Sequence, residues 1–122
     1  IVMNTLMKLL LGYSVFLILN STTVYAQSPC ENTLCVVQYN ASWNSAKSVV
    51  WMDKLTDCDI MEIDIASNTT AAGEYKIVVV PTIVIYNDGE EVKRFQANIM
   101  MTMEATKKQV QGSIDEILME DF

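Results

Sequence analysis

The sequence has no histidine, only three cysteines, and eight basic residues against fifteen acidic ones in 122 positions. Without imidazole, serine and cysteine hydrolases of the usual kind are excluded, as are most zinc and non-haem iron sites. Three thiols are too few for a four-thiolate zinc or iron–sulfur centre within one chain, so neither a metal nor a cofactor is expected. Cys30, Cys35 and Cys58 can form one pair and leave one thiol over. The shortage of cations sharpens past the start: Lys8 stands in the N-terminal segment, and the remainder sets seven cations against fifteen acids, a net −8. Phosphate neutralisation needs a basic face, so a nucleic-acid partner is not expected.

Long apolar runs are also scarce. The one from Leu9 to Leu19 follows Lys8 and precedes the polar Asn20–Thr23 cluster, with Val24, Tyr25 and Ala26 as a small-residue pattern before Gln27. Eleven residues fall short of the roughly twenty that a membrane span needs, so residues 1–26 read as a cleaved signal peptide. The alternative is a retained N-terminal anchor, because no charge occurs from Leu9 to Cys30 and residues 9–30 could cross a membrane as a tilted helix. Either reading puts the globular part beyond a membrane, in an oxidising compartment such as a periplasm or secretory lumen. Residues 27–33 form a spacer, and residues 34–122 are the folded domain.

That domain alternates strand and helix patterns. Leu34–Tyr39 is β-branched and aromatic; Ser45–Leu55 carries Val49, Met52 and Leu55 at helical spacing, with Asn44 as its N-cap. Asp59–Ile65 alternates apolar and acidic residues as a strand with one wetter face. A short helix is expected within Ser67–Tyr75. Thr82–Tyr86 and Glu91–Phe95 form a hairpin about Asn87-Asp88-Gly89, and a helix over Thr102–Leu118 closes the chain with Val110, Ile114, Ile117 and Leu118 on one side.

This βαβαββα order, with Tyr75-Lys-Ile-Val-Val-Val-Pro-Thr82 leading into Ile83–Gly89, resembles the thioredoxin family from about Leu34 to Leu118. The resemblance implies an α/β fold, a central mixed sheet flanked by helices, here preceded by an N-terminal hydrophobic helix, and a cis bond at Pro81. It also locates the chemistry. Where the family has Trp-Cys-Gly-Pro-Cys-Lys, this chain reads Trp43-Asn44-Ser45-Ala46-Lys47-Ser48, so Asn44 and Lys47 replace both thiols. Gln38 stands for the family's buried acid. Lys76 and Val79 occupy positions that are usually glycine, and another such position falls near Gln96.

Those losses lead to the expectation of a redox-inactive member and no enzyme: a binding or assembly module, of which an accessory subunit of a membrane complex is one version. Its protein partner would contact Trp43, Val80, Pro81 and Gln96, pairing with the backbone of Val80 beside an exposed aromatic. Competing with this groove, the acidic strand and helix faces could dock a basic partner. Cys30 and Cys35, four residues between them, read as a structural disulfide if Asn32-Thr33 turns. The alternative is a thiol–disulfide oxidoreductase working through Cys30 and Cys35, although Glu31 adjoins them and no Lys or Arg lies between Gln27 and Trp43 to stabilise a thiolate.

Other candidates have plainer readings. Ser45 lacks a base for nucleophilic attack. The thioethers of Ile99–Met103 suit Cu(I), but packing at the entrance to the last helix is favoured. Asp59, Glu62 and Asp64 could hold Ca²⁺, but read better as a solvated strand face. Asn40-Ala-Ser42 and Asn68-Thr-Thr70 match glycosylation acceptors.

Overall fold

The computed structural model describes residues 28–120. The segment read as a signal or anchor, residues 1–26, lies outside them. Among the described residues, no helix is long and apolar enough to cross a membrane.

Four strands make one mixed sheet in the order β2-β1-β3-β4: β1 (Leu34–Asn40), β2 (Asp59–Asp64), β3 (Thr82–Asn87) and β4 (Glu90–Gln96). β1 pairs parallel with β2 and antiparallel with β3, and β3 pairs antiparallel with β4. The central strands β1 and β3 are buried on both faces, and their Val, Ile and Tyr residues match that position. The β3–β4 hairpin turns through Asp88 and Gly89, both at positive φ (51° and 86°), as a two-residue turn between right-twisted strands requires.

Strand alternation divides the core. On one face, Val36, Ile83 and Ile85 pack with Val49, Met52, Leu55 and with Val110, Ile114 and Ile117 of the C-terminal helix. On the other, Val37, Tyr39, Val84 and Tyr86 pack with Cys30, Cys35, Ala41, Ile77 and Val80. Burial of each large apolar side chain contributes about 1.5–3 kcal/mol, so these two clusters hold the layers together.

The α1 helix (Ala71–Glu74) is a single turn, and α2 (Lys107–Glu120) covers the first face. The helix expected over Ser45–Leu55 is replaced by two 3₁₀ turns, Ser42–Lys47 and Met52–Lys54. Asn44 does not cap: it is buried inside the first turn with non-helical φ/ψ of −113° and 21°. The cause lies in β1. Gln38 Oε1 accepts from the Val49 N–H at 2.7 Å, and Gln38 Nε2 donates to the Val49 carbonyl at 3.4 Å. A buried side chain thus takes the backbone groups that a continuous helix would have used.

The last helix starts at Lys107 rather than Thr102. Thr106 Oγ1 accepts from the Gln109 N–H at 3.2 Å, while Gln109 Oε1 accepts from the Thr106 N–H at 2.9 Å. This reciprocal pair is a capping box, and it fixes the first turn. The preceding loop also corrects the packing expected of Ile99–Met103: Ile99 is 94% and Met100 66% exposed, and only Met101 and Met103 pack against the core.

Candidate functional site

The turn after β1, where the resemblance puts two thiols, holds a hydrogen-bonded amide and hydroxyl cluster. Asn44 Nδ2 donates to Asn40 Oδ1 at 3.1 Å, and Asn40 Nδ2 donates to the Asn44 carbonyl at 3.2 Å and to Ser48 Oγ at 2.7 Å. Lys47 Nζ donates to the Met100 carbonyl, which ties the turn to the exposed loop before α2. Gln38 Nε2 also reaches Glu62 Oε1 at 3.2 Å. A cavity of about 280 Å³ opens here, with Gln38, Asn40, Ser45, Ser48, Glu62 and Asp64 on its wall. Among the described residues no buried side-chain polar atom lacks a partner. Ser45 has no base beside it, and the lysine is engaged elsewhere. The arrangement can bind through hydrogen bonds but offers no nucleophile.

Of the carboxylates weighed as a cation site, Asp64 is committed to the backbone. Its Oδ1 accepts from the Ala66 N–H at 2.9 Å and the Ser42 N–H at 3.0 Å. These donors, Ala66 foremost, hold its carboxyl below the usual range. Among the described residues no group of three or more acidic or thiol side chains is placed to hold a metal ion. Of the glycosylation motifs, Asn40 is buried in the cluster above, whereas Asn68 lies exposed in the turn after β2.

The Val80–Pro81 bond is cis. Trp43, 67% exposed, and Val80 lie together on an apolar pocket of about 220 Å³ with Ile65, Ile77, Val78 and Met101. Pro81 is fully buried and Gln96, although exposed, is not on that wall, so the four residues named for a groove are only partly brought together. Lys76 holds a positive φ of 55°, which gives a physical reason for the glycine usual at that position. Arg94 clamps the same segment: Nη1 donates to the Lys76 carbonyl at 2.7 Å and Nη2 to that of Tyr75 at 2.8 Å, while Glu91 pairs with the guanidinium at 2.7 Å.

At the other end of β1, Cys30 and Cys35 are joined in a disulfide, with Cα atoms 6.4 Å apart. The chain reverses through Asn32 at φ 62°, the turn that the spacing required. Ser28 Oγ fixes the approach, donating to the Cys30 carbonyl at 2.6 Å and accepting from its N–H at 3.1 Å. Cys35 is 1% exposed and Cys30 8%, so Cys30 is the more accessible sulfur-bearing residue. Cys35 sits opposite Tyr86 in the β1–β3 register. Beyond it, Tyr86 and Tyr39 share a buried hydroxyl hydrogen bond of 2.7 Å. Burial pushes both phenols above their ordinary range. Nothing in the sequence marked this pair except two tyrosines in strand patterns. Cys58, the remaining thiol, is half-buried between Asp57 and Asp59, and burial followed by those charges raises its pKa.

Comparison with known proteins places these features in context. The family model described as Thioredoxin matches residues 24–112. Thioredoxin H2 of Arabidopsis thaliana is 29% identical over 70 residues, 52% of this chain and 53% of that protein, so the chain spans about half the length of the curated relative it matches. Among solved structures, thioredoxin-2, described as a component of the malaria parasite protein secretion machinery, superposes with a TM-score of 0.58 at 19% identity, covering 71% of this chain and 85% of that one. Thioredoxin NaTrxh of Nicotiana alata gives 0.51 at 25% identity, with 70% and 73% covered.

These findings correct two expectations. The chain was expected to be a redox-inactive binding or assembly module and no enzyme. The family match, taken with a bridged Cys30–Cys35 pair, favours the oxidoreductase alternative instead. The absent thiols at Asn44 and Lys47 describe one turn only, and a disulfide elsewhere in the domain is a redox couple in its own right.

Proposed function

The chain belongs to the thioredoxin family, and we propose that it is a thiol–disulfide oxidoreductase whose redox couple is Cys30 and Cys35. The observation that carries this reading is the disulfide itself, the only bridge among the described residues, held in the core by β1 and by the Ser28 turn.

In the reduced state the Cys30 thiolate, the less buried of the two, attacks one sulfur of a substrate disulfide. A Cys30–substrate S–S bond forms, and the other substrate sulfur leaves as a thiolate that takes up a proton. The Cys35 thiolate then attacks Cys30 Sγ, closing the Cys30–Cys35 bond and releasing the second substrate thiolate. The substrate gains two electrons and the chain ends oxidised, as in the structure. A separate dithiol must return it to the reduced state. The uncharged stretch from Leu9 to Cys30 further supports work on the far side of a membrane, where substrate disulfides persist.

The test is dithiothreitol-driven reduction of insulin by the full chain. Turnover should exceed that of dithiothreitol alone and vanish in Cys30→Ser and Cys35→Ser, while Cys58→Ser leaves it unchanged. Cys35→Ser should also accumulate a mixed disulfide on Cys30. Turnover no higher than the dithiol alone, or undiminished in Cys35→Ser, overturns the proposal.

A further inference from the structure

Among the described residues β2 has a neighbour on one side only, β1. Which backbone groups face outward follows from one hydrogen bond. The Ile65 N–H donates to the Asn40 carbonyl at 2.9 Å, toward β1. The N–H and C=O of one strand residue share a side, and the sides alternate, so Ile63, Met61 and Asp59 also face β1. The N–H and C=O of Ile60 and Glu62, and the N–H of Asp64, therefore point away. The Asp64 carbonyl on that side is used by the Asn68 N–H at 2.9 Å, which ends the row. Such a row is a template for one more strand.

The side chains flanking the row specify what could fill it. Ile60 on one face and Met61 on the other are each 38% exposed, so an added strand finds one apolar contact above and one below. Asp57, Asp59, Glu62 and Asp64 crowd the same segment, and no Lys or Arg occurs between Lys54 and Lys76. A second copy of β2 laid antiparallel would set these carboxylates against one another, which is destabilising. We propose that this edge is a strand-addition site for a partner protein presenting an extended segment in which two adjacent apolar residues are flanked by basic ones, in the order basic, apolar, apolar, basic. The basic residues meet Asp59 and Glu62, the apolar ones Ile60 and Met61, and the backbone completes the ladder at Ile60 and Glu62.

The probe is an end-capped eight-residue peptide made of two lysine–valine–valine–lysine repeats, titrated into the ¹⁵N-labelled full chain. Binding should shift the amides of Ile60 and Glu62 and slow their hydrogen exchange, and it should weaken severalfold as salt rises from about 0.05 to 0.3 M. A valine–glutamate peptide should not bind. Ile60→Pro removes an outward N–H without touching the β1 ladder, and should weaken binding about tenfold. Asp59→Lys should weaken it as well. If Ile60→Pro does not fold, the same valine–lysine peptide N-methylated at alternate residues should lose binding to the unaltered chain. The proposal is overturned by failure of the valine–lysine peptide to bind, by shifts confined to other residues, or by binding that the N-methylated peptide retains. It is equally overturned if the Ile60 and Glu62 amides are already protected in the free chain. Protection that depends on concentration would assign the edge to a second copy, and protection that does not would assign it to residues 1–27.

Discussion

Gln38 shows how one side chain redirects the backbone around it. It is 2% exposed and satisfies both the N–H and the carbonyl of Val49, while also reaching Glu62. Replacement by leucine keeps the volume but strands two backbone groups in the core. Each unsatisfied group costs about 1–3 kcal/mol, so Gln38→Leu should lose about 3 kcal/mol in urea unfolding. A loss below about 1 kcal/mol would show that the Val49 segment finds other partners. Asp64 acts at the surface, and its effect is visible through pH. The Ala66 and Ser42 N–H groups depress its folded pKa, so its contribution is present above the unfolded carboxylate value of about 3.9 and disappears as pH falls through the folded value. The unfolding midpoint should therefore fall below about pH 4, and Asp64→Asn should make that decline shallower. An identical acid limb in the variant would assign the loss to other carboxylates.

Secondary-structure elements were legible where residue alternation agreed with burial, and misread where a side chain from elsewhere intervened. All four strands lie where the sequence put them within a residue or so: central β1 and β3, buried on both faces, are rich in Val and Ile, edge strand β2 alternates apolar and acidic residues, and Asp88-Gly89 tolerates the turn into β4. The segment after β1 had the apolar spacing of a helix, and Val49, Met52 and Leu55 are indeed buried. Burial pattern alone could not reveal that Gln38, eleven residues earlier, holds Val49 out of helical geometry. The Cys30–Cys35 bridge was legible from its spacing and an Asn that tolerates positive φ. The redox role proposed for it was not the reading favoured from sequence, because the missing thiols at Asn44 and Lys47 bear on another turn. The start of α2 was misplaced for a simpler reason: apolar Met103 extends the periodicity upstream of the capping box formed by Thr106 and Gln109. Thr106→Ala should cost about 1 kcal/mol in chemical denaturation. No measurable change would mean that packing of Val110 and Ile114 sets the helix start unaided.

For the whole molecule, redox state and stability are linked through the same two residues. Cys30 belongs to the core cluster that includes Val37, Tyr39 and Val84, yet it lies outside the sheet and connects to β1 through the turn at Asn32. The disulfide, with a sequence separation of 5, closes a small loop in the unfolded chain and removes part of its conformational freedom. For a loop of that size the chain-entropy relation gives roughly 2 kcal/mol of stabilisation to the oxidised form. Linkage makes this a statement about redox chemistry. Whatever the bridge adds to folding, the fold must add to bridge formation, so the folded couple should be more reducing than the unfolded dithiol by about 45 mV, since 30 mV corresponds to about 1.4 kcal/mol. No cation lies between Gln27 and Trp43 to stabilise a thiolate and oppose this shift. The expected behaviour is that of a reductant. Urea unfolding of the oxidised and the fully reduced chain should differ by roughly 2 kcal/mol in favour of the oxidised form, and equilibration against glutathione buffers, in native conditions and again in urea, should give potentials separated in the same direction. Equal stabilities in the two states would mean that the native fold is indifferent to the bridge. A folded couple more oxidising than the unfolded one would mean that the fold disfavours the bridge, against the linkage argued from its stabilisation.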